Sequence, residues 1–583
     1  MKIVLAALNA KYIHSNLALR YLRGVCTGHE VSLREYSIND RLDLVAGELY
    51  KLGAEVIGLS CYIWNLSETL ELADTLRQVC PESIIVLGGP EVSFDPGEYL
   101  ANSSCVDYVV YGEGEETFRE LLDYLSLEPA SRDKAGLGRI NGIAYRTGEG
   151  VCVNPPRALI RDLDSVPSPY LDFEGLENKI AYVESTRGCP FSCQYCLSST
   201  FQGVRFFPLE RTKRELEGLI EAGVTQVKFV DRTFNCNKDH AMQLWAFLAQ
   251  WKPQANFHFE ISADLLEQEE LDFLGTVRPG LFQFEVGVQS TNLHTLELIE
   301  RRTNLSRLAE NVRSVARKGN ILQLLDLIAG LPGEDYYSFA ASFDEVYSWG
   351  PDKLQLGFLK LLKGAGIREK AAEWGYRFTT SPPYKVLGNN WLEYGELLRL
   401  QIIEDLVDKY FNSGRFVQSL AFLIAGFSGP FSFFEALAGF WEDKGYHRQS
   451  HNAKVLFELL LEFYQSCYSE SDPVFAQLLQ FDYLLWAKPP QRPAWFPESG
   501  LPGSLERGQA FLHSGLLRLL PQLAGVSRRE INKYFCLEHF SREIIPFLEI
   551  DFIPDSEEPL SLLFYYPGPL ISAGRPGYIP VVI

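Results

Sequence analysis

The chain has 583 residues, 46% of them apolar and 13% aromatic, and 54 basic against 75 acidic side chains give a net charge of -21. That length exceeds one ordinary core, so two to four domains are expected, and the aromatic content excludes a largely disordered chain. A surface this acidic repels phosphate backbones and anionic lipid, which argues against nucleic acid and membrane as partners.

Residues 1–126 alternate short apolar runs, at 3–8, 56–60, 84–88 and 108–112 with a weaker one near Val31, with amphipathic stretches such as 17–22 and 70–79. Apolar strands buried on both faces and separated by helices predict a doubly wound parallel sheet. Ligands of such sheets sit at the carboxyl ends of the strands. Those ends carry Asn9, Ser60, Gly88-Gly89-Pro90 and Gly112-Glu113-Gly114-Glu115. The chain enters its first strand without an export signal, and its 11 cysteines are mostly scattered. A reducing, cytoplasmic setting is expected.

A hairpin-like piece near 142–146 leads into Pro155-Pro156 and Pro167-Ser168-Pro169, which read as linker chemistry. A second alternating series then begins, with strands expected at 182–185, 227–231, 257–261, 282–287, 322–328 and 354–358. Six β/α units in this space predict an open, partial version of the eight-stranded β/α barrel, whose chemistry lies at the strand carboxyl ends. From about 365 the pattern is mainly helical. The longest uncharged stretch, 417–434, has Gly429-Pro430 near its end and reads as a buried helical hairpin, not a membrane span. The expected fold is α/β, divided into a doubly wound domain (1–130), a linker (131–180), a six-stranded partial barrel (181–365) and a mainly helical region (366–583).

The decisive segment is Glu184-Ser185-Thr186-Arg187-Gly188-Cys189-Pro190-Phe191-Ser192-Cys193-Gln194-Tyr195-Cys196, in the loop after the first barrel strand. Iron–sulfur clusters are held by thiolates, and a cubane cluster normally takes four. Only Cys189, Cys193 and Cys196 lie within reach of one another, which leaves one iron open to another ligand. A structural zinc site would want a fourth Cys or His at short spacing, and the next cysteine, Cys236, ends a different strand. A redox pair of Cys193 and Cys196 would leave Cys189 without a role. The triad therefore reads as the metal-binding, catalytic set of a 4Fe–4S cluster.

This Cys-x3-Cys-x2-Cys spacing, with an aromatic residue before the last cysteine, resembles the radical S-adenosylmethionine superfamily. The resemblance implies that S-adenosylmethionine chelates the open iron and is reductively cleaved to methionine and a 5′-deoxyadenosyl radical. It also implies that Tyr195 lies against the adenine, Glu260 and Gln289 near the ribose or methionine moiety, and Gly330 to Pro332 along the adenine. Asp231 and Glu285 join the implied cofactor contacts. Each has a plainer alternative: Asp231 as a helix cap, Glu285 as the ion-pair partner of Arg301, and Gly330 as a turn residue.

The N-terminal domain resembles that of the cobalamin-binding subfamily, through Asn9, Ser60, Gly88, Gly89, Pro90, Gly112, Glu113 and Gly114. The Asp-x-His-x-x-Gly motif that supplies a cobalt ligand is absent, and the first loop offers only Asn9 and His14, so cobalamin without a protein histidine below it is expected. Residues from about 365 resemble a domain of uncharacterised function found in one branch of this subfamily. Lys360 and Lys363 read either as substrate contacts or as a solvated pair, and Tyr384, Asn390 and Trp391 as lid candidates. The resemblance implies methyl transfer to an unactivated centre of a small-molecule substrate, with flavodoxin or ferredoxin as reductant. The alternatives are radical rearrangement or oxidation without methyl transfer, and a non-enzymatic cobalamin or redox sensor.

Overall fold

The computed structural model describes residues 1–128, 131–148, 150–201, 203–251, 255–468, 473–498, 504–548, 550, 559–571 and 575–582. The first sheet has seven strands: β1 (Lys2–Asn9), β2 (Glu30–Ser37), β3 (Val56–Ser60), β4 (Ile84–Gly88), β5 (Tyr108–Val110), β6 (Ile143–Thr147) and β7 (Gly150–Val153). Their order is β2-β1-β3-β4-β5-β6-β7, parallel through β5 and antiparallel beyond it. The hairpin in the stretch read as linker thus extends this sheet.

β1 shows why its run is continuously apolar. Val4, Ala6 and Leu8 enter one core and Ile3, Leu5 and Ala7 the other, so both faces are covered. The chain leaves β1 toward β2 on one side and β3 toward β4 on the other. That divergence opens a crevice at the carboxyl ends of β1 and β3, the place where doubly wound sheets bind ligands.

The second series comprises β8 (Ile180–Val183), a hairpin of β9 (Thr186–Cys189) and β10 (Gly203–Phe206), then β11 (Gln226–Phe229), β12 (Asn256–Ile261), β13 (Phe282–Gln289), β14 (Leu322–Ala329) and β15 (Lys353–Phe358). Six of these form a sheet in the order β15-β14-β13-β12-β11-β8. Alternation sets its two faces. Val227, Phe229, Phe257, Phe259, Phe282 and Phe284 are buried, with Phe259 and Phe284 packed on Trp245 of the helix Lys238–Gln250. Tyr182, Lys228, His258, Glu260, Gln283 and Glu285 point to the other, concave face. A short antiparallel pair, β16 (Arg377–Phe378) and β17 (Val386–Gly388), follows.

The chain divides into two compact units, 1–351 with 356–397, and 352–355 with 398–583. The second contains the helices Val417–Ile424, Pro430–Lys444, Ala453–Cys467 and Pro473–Trp486 and an antiparallel sheet of β18 (Phe535–Phe540), β19 (Leu560–Tyr565) and β20 (Gly577–Val581). The long uncharged stretch is split into two helices before Pro430, and among the described residues no helix is long and apolar enough to cross a membrane.

Candidate active site

Cys189 ends β9, and Cys193 and Cys196 follow in the loop toward β10. All eleven cysteines are free thiols. Each sulfur of the triad has a polar neighbour. Ser198 N donates to Cys196 Sγ at 3.4 Å, Arg301 Nη1 donates to Cys193 Sγ at 3.8 Å, and Thr233 Oγ1 lies 3.6 Å from Cys189 Sγ. Donors aimed at sulfur stabilise a thiolate and the anionic cluster it carries. Burial raises the Cys193 thiol above its ordinary range, with Arg301 opposing. Among the described residues no three His, Cys, Asp or Glu side chains converge as they would around a single ion. A cubane instead spreads three thiolates over three irons, and a donor set of three thiols without imidazole or carboxylate fits it. Cys236 follows β11 and not the cysteine loop, and burial pushes its thiol up to about 11.

Arg301 also donates to Tyr195 Oη at 3.2 Å and to Gly287 O, which joins the cysteine loop to β13. At the end of β13, Gln289 adopts a left-handed backbone with φ of 73°. Its Oε1 is buried with no hydrogen-bond partner among the described residues. An orphaned buried acceptor there fits a ligand hydroxyl or amino group. After β14, Gly330 has φ of 92°, and its carbonyl accepts from Tyr376 Oη at 2.9 Å and Asn389 Nδ2 at 3.0 Å. Pro332 is buried two residues on.

The concave wall below carries a charged network. Lys228 Nζ lies 2.9 Å from Glu285 and 3.5 Å from Glu260, and His258 Nε2 lies 2.8 Å from Glu285. Burial favours the neutral Glu285 carboxyl, but the nearby His258 and Lys228 outweigh it and hold it at about 2. Glu285 is therefore tied to Lys228 and His258, whereas Arg301 serves the cysteine loop. Asp231 is fully buried and caps no helix. Its oxygens accept from Ser185 N (3.0 Å), Ser185 Oγ (2.6 Å) and Thr186 Oγ1 (2.7 Å), anchoring the turn into β9. Burial lifts its carboxyl to about 6 against those bonds.

At the carboxyl edge of the first sheet, Asn9 Nδ2 donates to His14 O at 2.9 Å and Ser60 Oγ accepts from Asn16 Nδ2 at 3.3 Å. Cys61 N donates to Gly88 O at 2.7 Å, and a Cβ on Gly89, at φ of 119°, would overlap Cys61 O. Gly112, at φ of 79°, faces open space, and its N donates to Ser93 Oγ at 3.3 Å. This glycine-lined edge, with Pro90 and Gly114 closing its turns, is a cradle that a bulky ligand can approach at backbone distance. His14 Nδ1 lies 2.7 Å from Tyr182 Oη, so the ring is tied to β8.

Glu113 is engaged inside the protein. Arg205 donates to it at 2.7 and 3.0 Å, Ile160 N at 2.7 Å and Arg187 at 3.5 Å. Arg187, two residues before Cys189, also pairs with Glu115 at 2.6 Å and Glu184 at 2.8 Å. Lys363 pairs with Asp95 at 3.1 Å and Glu98 at 3.2 Å, while Lys360 is exposed. Asn390 Nδ2 donates to Glu373 O at 3.3 Å, and Trp391 N to Asn389 Oδ1 at 2.9 Å. Sequence reasoning missed Arg187, Lys228 and Thr233 as site residues. The one available signal was a charged side chain inside the strand that ends in Cys189.

Three family descriptions match the chain: "B12 binding domain" over 3–122, "Radical SAM superfamily" over 183–346 and "Protein of unknown function (DUF4080)" over 372–557. The chain is 30% identical over 358 residues to 2-(S-pantetheinyl)-carbapenam-3-carboxylate methyltransferase of Streptantibioticus cattleyicolor, an alignment covering 55% of this chain and 50% of that one. It is 26% identical to the cobalamin-dependent radical SAM methyltransferase TokK of Streptomyces tokunonensis, over 64% of this chain and 57% of that one. The chain thus spans about half the length of these relatives. In fold it is similar to the cobalamin-dependent S-adenosylmethionine radical enzyme OxsB solved with aqua-cobalamin, with a TM-score of 0.58 at 15% identity, covering 82% of this chain and 80% of that one. With the thiol triad, the glycine cradle and these likenesses in hand, the chain carries a B12-binding domain followed by a radical SAM domain, which imply cobalamin, a 4Fe–4S cluster and S-adenosylmethionine as cofactors, and it is similar to cobalamin-dependent radical S-adenosylmethionine enzymes.

Proposed function

We propose that this protein methylates an unactivated carbon or a phosphinate phosphorus of a small molecule in the cytoplasm, with a flavodoxin or ferredoxin as electron donor. When bound, the cofactors supply a 5′-deoxyadenosyl radical from one S-adenosylmethionine and a cobalt-borne methyl group from a second. The observation that carries the reading is the three-thiol loop, with hydrogen-bond donors at its sulfurs, lying in one compact unit with the glycine cradle. The names of the two methyltransferase relatives support it.

The chain's own residues have definable tasks. Cys189, Cys193 and Cys196 hold the cluster, and Arg301 steadies the loop from β13. Gln289 offers its free acceptor to a ligand hydroxyl or amine, and Gly330 and Pro332 shape the adenine side. Glu260 and Lys228 present charge to the open face of the wall, while Phe257, Phe259, Phe282 and Phe284 keep its rear dry. Exclusion of water protects an open-shell step. Asn9, Ser60, Gly88, Gly89, Pro90, Gly112 and Gly114 line the cobalamin side. Asp231 and Glu113 act one step back, by fixing the turns that carry the contacts.

The test is anaerobic reconstitution followed by turnover of methyl-labelled S-adenosylmethionine in extract from the source cells. 5′-Deoxyadenosine, S-adenosylhomocysteine and label in a metabolite are expected. Deoxyadenosine without S-adenosylhomocysteine or transferred label would replace methylation by rearrangement or oxidation.

A further inference from the structure

The segment after β15 touches three loops, each belonging to a different cofactor site. Its first contact is with the turn after β4. Tyr384 Oη donates to Glu91 Oε1 at 2.5 Å, and Tyr99 Oη donates to the same oxygen at 3.1 Å. Glu91 is buried and directly follows Gly88-Gly89-Pro90. Gly364 approaches so closely that a Cβ would overlap the ring of Phe94, and its φ is 84°. Lys363 adds ion pairs to Asp95 and Glu98.

The second contact is with the cysteine loop. Ile367 N donates at 2.9 Å to the carbonyl of Gln194, which lies between Cys193 and Tyr195, and Gly366 leaves room for the Gln194 side chain. The third is with Gly330, whose carbonyl is held by Tyr376 and Asn389. Arg368 links these contacts. Its guanidinium lies 4.7 Å from the centre of the Tyr384 ring, and its Nη1 donates to Leu361 O at 2.6 Å.

Tyr384 itself is 1% exposed yet has φ of 55°, a backbone conformation that bulky side chains rarely adopt. A buried side chain held in that conformation by its surroundings marks a position whose geometry matters more than its local comfort.

We propose that residues 359–392 are a strap that sets the cobalamin-binding turn against the cysteine and adenine loops, with Tyr384 as its positioning residue. The inference rests on the proposed reading only in taking cobalamin to sit at the turn 88–92. Tyr384 acts through Glu91: its hydroxyl fixes the carboxylate, and the carboxylate fixes the turn that begins at Gly88.

The test titrates aquacobalamin into the full-length, cluster-loaded protein and follows its visible spectrum, with iron and sulfide content measured in parallel. Tyr384→Phe is expected to weaken cobalamin binding about tenfold, as for loss of a buried hydrogen bond to a charged group. Glu91→Leu, which removes the acceptor shared by Tyr384 and Tyr99, is expected to weaken it at least as much, and the double variant no more than Glu91→Leu alone, because Tyr384 acts through Glu91. Lys363→Met, at a partly exposed pair, is expected to change binding less than about threefold. Iron content stays at the parent value in all four. Unchanged binding in Tyr384→Phe overturns the strap, as do multiplying losses in the double variant or iron lost in step with cobalamin. Deoxyadenosine formation by the parent protein separately reports on the proposed function, so the two readings fail by different measurements.

Discussion

The cysteine loop and the Gly112–Glu115 turn are both dense in groups capable of holding a ligand, and the fold treats them in opposite ways. In the loop, the three sulfurs receive long contacts from Ser198, Arg301 and Thr233, and no disulfide closes them off. In the turn, Glu113 and Glu115 are held by Arg187 and Arg205 at hydrogen-bond distance. The guanidiniums reach across from β9 and β10, so the acidic turn ties the doubly wound sheet to the hairpin that carries the cysteines. A group left with unused bonding capacity marks where a ligand goes, and a group whose charge is matched by the protein marks how that place is held.

The sharpest break in this comparison is Cys193→Ala, which removes one of three thiolates. Iron content and deoxyadenosine formation should both fall to background, and a variant retaining a full cluster would place the ligands elsewhere. Next comes Arg187→Ala, which strands Glu115 and Glu184 around a vacated, largely buried site. It should cost about 3–5 kcal/mol in chemical denaturation. Arg187→Lys, which keeps the charge but loses the fork, should cost less. Equal stability to the parent would show that the acidic turn does not depend on Arg187.

A third effect is of similar size but depends on pH. Glu285 is held at about 2 against an ordinary 4.5, so the native state takes up its proton less readily than the unfolded chain. Its stabilisation, about 3 kcal/mol, is present above pH 4.5 and is lost as pH falls toward 2. Denaturation midpoints of the parent should therefore drop across that window more steeply than those of Glu285→Gln, and parallel profiles would contradict the network. The smallest effect is expected for Cys236→Ser. This thiol lies outside the triad, and iron content should be unchanged within error, whereas loss of iron would make it a fourth ligand.

Much of this architecture is legible in the sequence because it depends on local pattern. The runs at 56–60 and 84–88 are continuous and apolar because both faces of β3 and β4 are covered, and the structure places strands there with the same limits. The triad is legible because its spacing is short and its donor chemistry narrow. What is hidden depends on partners distant in the chain. Nothing near Glu113 announces Arg205, 92 residues away, and nothing near Lys363 announces Glu98, 265 residues away. Asp231 reads from the sequence as a cofactor contact or a helix cap, yet its donors come from Ser185 and Thr186 in the turn into β9. The hairpin β6–β7 is legible as a hairpin-like piece, but the prolines that follow it make the stretch read as linker, while its pairing is decided by the open edge of β5.

The central claim is that a loop of three thiolates leaves one iron to S-adenosylmethionine, and electron paramagnetic resonance of the anaerobically reduced protein tests it most directly. A [4Fe–4S]+ signal is expected whose g-values shift when S-adenosylmethionine is added, and which is absent from Cys193→Ala. A signal indifferent to S-adenosylmethionine, or protein carrying zinc in place of iron, would contradict the account.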